Sequence, residues 1–236
     1  MGFPQKKIIP AQVFTFCDII LSFTILLIFT PGIMLSTHTL LCLGDSYTIG
    51  ESVLPAENFP NQTVRLLKKD GFEFEDPEIV AKTGWTTDEL QAAIDKHSFK
   101  DSYDLVTLLI GVNNQYRGRT VDNYRSEFES LVKQAIQLAN GKPEHVIVLS
   151  IPDWGATPFA RDRDRKQIAV EIDNYNSANK AVAEEFKVRY IDITASSREA
   201  VSDSGLIAND GLHPSAKEYA KWSESLSLLI KSIIKQ

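Results

Sequence analysis

Short apolar runs, each too brief for a helix and each broken by turn residues, recur along this chain with amphipathic stretches between them. That alternation sharply limits the folds open to it. Leu40–Leu43 is the first run, and Glu78–Ala81, Asp104–Ile110, His145–Ile151 and Arg189–Ile193 follow. Runs of this length, bounded by turn signals, read as strands buried on both faces. Between them, residues 58–69, 121–139 and 168–186 carry apolar side chains at helical spacing. Thr87 is expected to cap a further helix carrying Leu90, Ala93 and Ile94, and a last helix to start near Ser215 and run through Ile233. Strands alternating with helices imply an α/β fold: a five-stranded parallel sheet covered by helices on both faces through right-handed crossovers.

The 236 residues, 43% hydrophobic and 24% charged, suit one well-filled core after residue 39. A net charge of −6 argues against a nucleic-acid partner and lends no support to an anionic membrane surface. His38, His97, His145 and His213 are scattered and no Cys/His cluster has ligand spacing, so no metal is expected. Cys17 and Cys42 lie in unrelated contexts, and no disulfide between them is expected.

Residues 1–38 read as an extension outside the core. Lys6 and Lys7 precede an apolar run from Ile19 to Leu35, the pattern of a signal peptide or a single membrane anchor. Asp18 abuts that run, and residues 36–39 make a poor cleavage site. A third reading starts translation at Met34. Export or anchoring and a cytoplasmic product from the internal start therefore both stay open. Membrane contact is expected only if the segment is kept as an anchor.

The chemistry gathers at the strand ends. The first run breaks into Gly44-Asp45-Ser46, placing a serine where a strand leaves the sheet, and open α/β sheets bind ligands there. A serine hydroxyl needs a base in reach and a third group to orient that base. Asp210-Gly211-Leu212-His213 offers both, because a spacing of three in a turn puts the carboxylate beside one imidazole nitrogen and leaves the other for Ser46. An acyl-transfer intermediate also needs donors for its oxyanion. Gly84, after the second strand, offers a closely approachable backbone N–H, and Asn113, after the third, a side-chain amide. Taken singly, each residue reads better as a turn or cap residue, and only the combination favours the chemistry.

Gly44-Asp45-Ser46-Tyr47, Gly84, Gly111-Val112-Asn113-Asn114 and Asp210-Gly211-Leu212-His213 fall in the order of the four sequence blocks of the SGNH (GDSL-type) hydrolases, and residues 39–236 resemble that family throughout. The resemblance implies a flavodoxin-like three-layer α/β/α sandwich and hydrolysis of carboxylic esters without metal or organic cofactor. It implies Ser46 as nucleophile, His213 as base and Asp210 as its orienting acid. The Ser46 and Gly84 N–H groups and the Asn113 side chain would form the oxyanion hole. Asn114 stands where the family's third block usually carries an acid. Tyr47-Thr48 after the serine departs from the Gly-x-Ser-x-Gly elbow of α/β-hydrolases, which argues against that fold.

Asp45, Asn114, Trp154 and Phe159 are the residues expected to touch substrate. Trp154 and Phe159 would floor an acyl or sugar pocket, and Arg161, Arg163 or Arg165 would meet an anionic head group. Polar residues on the neighbouring loop, Asn114 to Arg117, offer similar contacts. The segment 152–165 reads equally as a long surface loop whose aromatics pack on their own scaffold. The expected partner is a small ester with a short acyl group, such as acetyl on a sugar or small alcohol. A lysophospholipase or thioesterase is the alternative, and a silent membrane-tethered binding module a third reading.

Overall fold

Parallel pairing places every strand's carboxyl end at the same edge of the sheet, and that edge carries the candidate residues. The computed structural model describes residues 1–5 and 37–235. In chain order these form β1 (Leu40–Asp45), α1 (Ser46–Ile49), α2 (Phe59–Lys69), β2 (Glu78–Lys82), α3 (Thr87–Ile94), β3 (Leu105–Leu109), α4 (Val112–Tyr116) and α5 (Val121–Leu138). Then come β4 (Val146–Leu149), α6 (Arg165–Glu185), β5 (Arg189–Ile191), α7 (Thr194–Arg198) and α8 (Ala216–Ile234). The sheet order is β2-β1-β3-β4-β5, parallel throughout. Helices α2 and α8 pack together, as do α5 with α3 and α6, giving the helix layers of an α/β/α sandwich.

Three of the five apolar runs are buried on both faces as expected, whereas β2 and β5, at the sheet edges with a neighbouring strand on one side only, are mostly half-buried or exposed. Leu40 to Leu43, Leu105, Val106, Leu108, Leu109 and Val146 to Leu149 are all buried, with helices on both faces. The chain reverses direction across the sheet between β1 and β3, because α2 leads outward to β2 and α3 leads back across to β3. At such a switch point, the loops after β1 and β3 part and leave a crevice.

Several boundaries differ from the sequence reading, each for a local reason. Helix α3 is capped by Thr86 rather than Thr87, because the Thr86 N–H donates to Glu89 Oε2 at 2.9 Å in a capping box. Helix α6 begins at Arg165, ahead of Ile168, because the Asp164 carboxylate accepts from the Lys166 and Gln167 N–H groups. The irregular stretch after β4 contains two 3₁₀ turns, Trp154–Ala156 and Pro158–Ala160. His38, assigned to the extension, pairs with Phe74: its N–H donates to the Glu73 carbonyl at 2.8 Å and its carbonyl accepts from the Glu75 N–H at 2.9 Å.

The chain divides into units of residues 1–34 and 35–236. Residues 1–5 are exposed and without regular secondary structure. Cys17, the apolar run 19–35 and Met34 lie outside the described residues, and with them the signal, anchor and internal-start readings. Among the described residues, no helix is long and apolar enough to cross a membrane.

Gly44 shows how tightly the end of β1 is held. A Cβ there would lie 2.1 Å from Thr48 Oγ1 and 2.5 Å from the Leu109 carbonyl oxygen. The second clash is with the backbone of a neighbouring strand, which rotation of a side chain does not relieve. Gly44→Ala is therefore expected to lower stability by about 1–3 kcal/mol, read as a lower urea midpoint at unchanged slope.

Candidate active site

The turn after β1 presents Ser46. Asp45 caps the four-residue α1, its Oδ1 accepting from the Tyr47 N–H at 3.0 Å. Gly50 ends the turn at φ 78°, and the Gly50 and Glu51 N–H groups both reach the Ser46 carbonyl. Ser46 sits at the first position of this turn and is 4% exposed.

Gly84 lies in a turn closed by the Trp85 N–H on the Lys82 carbonyl at 3.2 Å. Its φ of +85° is what the third residue of a type II turn requires, which is why glycine suits the position. Arg117 holds the far side of this loop, donating from Nη2 to the Gly84 carbonyl at 2.6 Å. Asn113 donates one amide hydrogen to the Trp85 carbonyl at 3.0 Å, which fixes the amide plane and leaves the second hydrogen for a ligand.

The fourth piece is the loop before α8. His213 Nδ1 donates to Asp210 Oδ2 at 2.6 Å, so Nε2 is left as the acceptor. Asp210 Oδ1 accepts from the Leu212 and His213 N–H groups at 2.9 and 3.0 Å. Partial burial acts to raise the Asp210 carboxyl, but hydrogen bonds from His213, Ser52 and those two amides outweigh it and hold it well below the ordinary range. The Tyr47 ring packs 5.3 Å from the imidazole, centroid to centroid.

Ser46, Gly84, Asn113 and His213 thus come together on one pocket of ≈ 180 Å³, although they come from four separate loops. In this geometry no hydrogen bond joins Ser46 Oγ to His213, and such contacts commonly tighten only when substrate arrives. The rest of the wall is Tyr47, Thr83, Val112, Tyr116, Trp154, Phe159 and Leu212. Trp154 is locked by its Nε1 donating to Gln115 Oε1 at 2.7 Å. Tyr116 and Phe159 pack against it with centroids 5.4 and 5.9 Å away, and remain 49% and 47% exposed at the rim.

Two expected substrate contacts do not reach this pocket. Asp45 is fully buried and serves its own turn. Asn114 is fully buried too: its Oδ1 accepts from the Thr87 N–H at 3.1 Å and its Nδ2 donates to Thr87 Oγ1 at 2.6 Å, pinning the start of α3. The three arginines also miss the pocket lining. Arg165 donates to the Thr157 carbonyl at 2.6 Å, and Arg161 pairs with Asp162 at 3.4 Å. Sequence reasoning missed Tyr47 as a ring packed on the imidazole, Arg117 as the brace on Gly84, and Ser52 on Asp210. Nothing in their local sequence marks those contacts, which form between loops far apart in the chain.

Comparison with known proteins gives a consistent picture. Residues 42–221 match the GDSL-like lipase/acylhydrolase family. The fold is similar to that of the crystal structure of TesA (TM-score 0.67, 18% identity, 83% of this chain and 99% of that one). It also resembles a lipase/acylhydrolase from Enterococcus faecalis (TM-score 0.64, 22% identity, 84% and 96%). A variant of Axe2, an acetyl xylan esterase from Geobacillus stearothermophilus, is similar as well (TM-score 0.65, 22% identity, 83% and 95%). No curated protein matches the chain.

Asp45 leaves a measurable trace in stability. Burial pushes its carboxyl up from 3.8 to about 7, against the lowering effect of the Tyr47 N–H and its own N–H. The native state then keeps the proton up to about 7 while the unfolded chain releases it near 3.8. Folding takes up a proton in that window, so this group's contribution to stability falls as pH rises through it. Asp45→Asn does not titrate, and its stability relative to wild type should climb between pH 4 and 7 by up to about 1.4 kcal/mol per pH unit, then level off. Urea midpoints of both proteins across pH 4–9 test this, and a constant difference would contradict it.

Proposed function

The chain belongs to the GDSL-like lipase/acylhydrolase family, and on that basis we propose that it hydrolyses carboxylic esters through an acyl-enzyme on Ser46. The observation that carries this reading is the convergence of Ser46, Gly84, Asn113 and His213 on one pocket, with His213 Nδ1 engaged by Asp210. In the proposed cycle Ser46 Oγ attacks the ester carbonyl and His213 Nε2 takes its proton. The negative charge that develops on the carbonyl oxygen is met by the Ser46 and Gly84 N–H groups and the free Asn113 amide hydrogen. Collapse breaks the bond to the alcohol, which leaves with the proton from His213. Water, deprotonated by the same imidazole, then attacks the acyl carbon and restores Ser46. Asp210 keeps the imidazole in the required tautomer and stabilises its charged form.

The pocket wall supports a short acyl group on a neutral alcohol. Among the described residues its lining includes no Lys, Arg, Asp or Glu. A space of ≈ 180 Å³, walled on one side by Trp154, Tyr116 and Phe159, is of a size that suits a short acyl group. Tyr116 and Phe159, exposed at the rim, give flat apolar faces of the kind a sugar ring packs against. The structural likeness to an acetyl xylan esterase agrees with that choice.

The test is an assay of the full chain on p-nitrophenyl esters from acetate to decanoate and on acetylated sugars. Ser46→Ala is expected to lower kcat by at least about 10³-fold, and Asn113→Ala by about 10²–10³-fold. Activity should fall with acyl length beyond the short esters. A rise with chain length would instead favour a lipid acylhydrolase, and no turnover together with no labelling of Ser46 by a fluorophosphonate would point to a binding module.

A further inference from the structure

Three non-glycine residues among those described have positive φ: Ser52, Asn140 and Lys187. Two of them follow the ends of helices α5 and α6, where a left-handed residue closes off the last carbonyls. The chain past Asn140 returns a hydrogen bond from the Gly141 N–H to the Ile136 carbonyl, and the chain past Lys187 one from the Val188 N–H to the Ala183 carbonyl. Ser52 ends no such helix. It is the third residue of a turn closed by the Val53 N–H on the Gly50 carbonyl at 3.2 Å, and its φ is +65°. Glycine or asparagine is the ordinary occupant of that position, since a Cβ there is strained.

The strained backbone aims the side chain. Ser52 Oγ donates to Asp210 Oδ2 at 2.7 Å, a contact between residues 158 positions apart. The same oxygen receives His213 Nδ1. Oδ1 is already held by two backbone amides, so the Ser52 hydroxyl completes four donors around one carboxylate. It occupies a lone pair that solvent would otherwise take at this partly exposed group. The preceding residue, Glu51, accepts a hydrogen bond from the Thr83 hydroxyl, beside Gly84. The two residues that follow the nucleophile's turn therefore contact both the loop of Gly84 and the loop of His213.

We propose that Ser52 is a positioning residue for catalysis, kept in a left-handed conformation so that its hydroxyl fixes the Asp210 carboxylate against His213. The inference rests on the roles proposed above for Ser46, Asp210 and His213. It adds a function for the strap at residues 50–53. A serine here costs conformational strain that glycine would avoid, and the return is a fixed acid–base pair.

The experiment compares full-length wild type with Ser46→Ala, Ser52→Gly and Ser52→Thr on p-nitrophenyl acetate, with kcat, KM and thermal unfolding measured for each. Ser52→Gly removes the hydroxyl and the strain together. Its kcat should fall roughly tenfold, with KM near wild type and a melting temperature equal to or above it. Ser52→Thr keeps the hydroxyl but adds a branch at a left-handed position, so most of kcat should persist while the melting temperature drops. A merely structural role predicts that activity follows stability in both variants, and that result would overturn the proposal. So would a Ser52→Gly enzyme with wild-type kcat, or one impaired in KM alone. An inactive wild type, or a Ser46→Ala variant as active as wild type, would instead overturn the serine-hydrolase reading and this inference with it.

Discussion

Hydrogen bonding between parallel strands fixes the direction in which each chain segment leaves the sheet, and everything at the pocket depends on that. Gly44 is paired with Ala81 on one side and Leu109 on the other, so the ends of β1, β2 and β3 are level to within a residue or two. Ser46, Gly84 and Asn113 each follow one of those ends closely. Their proximity is a consequence of strand register, with no long loop needed to bring them together.

Register alone leaves loops free to move, and an oxyanion site is useful only if its donors are already in place when charge develops. The loops brace one another through side chains. Asn113 holds the Trp85 carbonyl, Arg117 the Gly84 carbonyl, and Asn114 the first turn of α3. Gln115 locks the Trp154 indole, and the Phe159 N–H donates to the Gly211 carbonyl at 2.9 Å. Each bond joins segments from different strands, so displacing one loop costs contacts in the next. Four consecutive residues, 113–116, supply a donor to the β2 loop, the anchor of α3, the partner of Trp154 and a rim aromatic. This explains why such a short helix is inserted after β3.

The three central strands were legible in the sequence because burial on both faces leaves no alternation to misread, the edge strands β2 and β5 through their flanking turns, and the ends of all five were misplaced by only one or two residues. The four-loop convergence was legible through the motifs. Side-chain direction was not. Asp45 and Asn114 are polar residues next to Ser46 and Asn113, and a polar side chain beside a site has the same local signature whether it faces the ligand or the scaffold. The backbone decides: Asp45 ends β1 and caps α1, so its side chain folds onto the Tyr47 N–H, while Asn114 in α4 turns onto Thr87 at the start of α3. Ser52, Arg117 and the Tyr47–His213 contact were illegible for a different reason. They depend on partners between 33 and 166 positions away, and no periodicity encodes such a pairing.

The polar atoms left without partners mark where stability has been given up. Asp45 Oδ2 and Thr48 Oγ1, both in the turn that presents Ser46, are buried without a hydrogen bond among the described residues, and so is the Tyr219 hydroxyl on α8. The surrounding core is apolar, and a sequence selected for stability alone would fill these positions differently. Asp45 is the clearest case. One carboxylate oxygen satisfies the Tyr47 N–H and shapes the turn, while the other is buried with nothing to bond. Asparagine would accept the same hydrogen bond without a charge to bury, so the hydrogen bond alone does not account for an acid. What an acid adds is a proton, held up to about pH 7, beneath the turn that carries Ser46 and Tyr47. The physical conflict is therefore local: the turn that must present a reactive side chain is also the one that buries an uncompensated carboxyl, and the braced loops around it are what let the fold tolerate both.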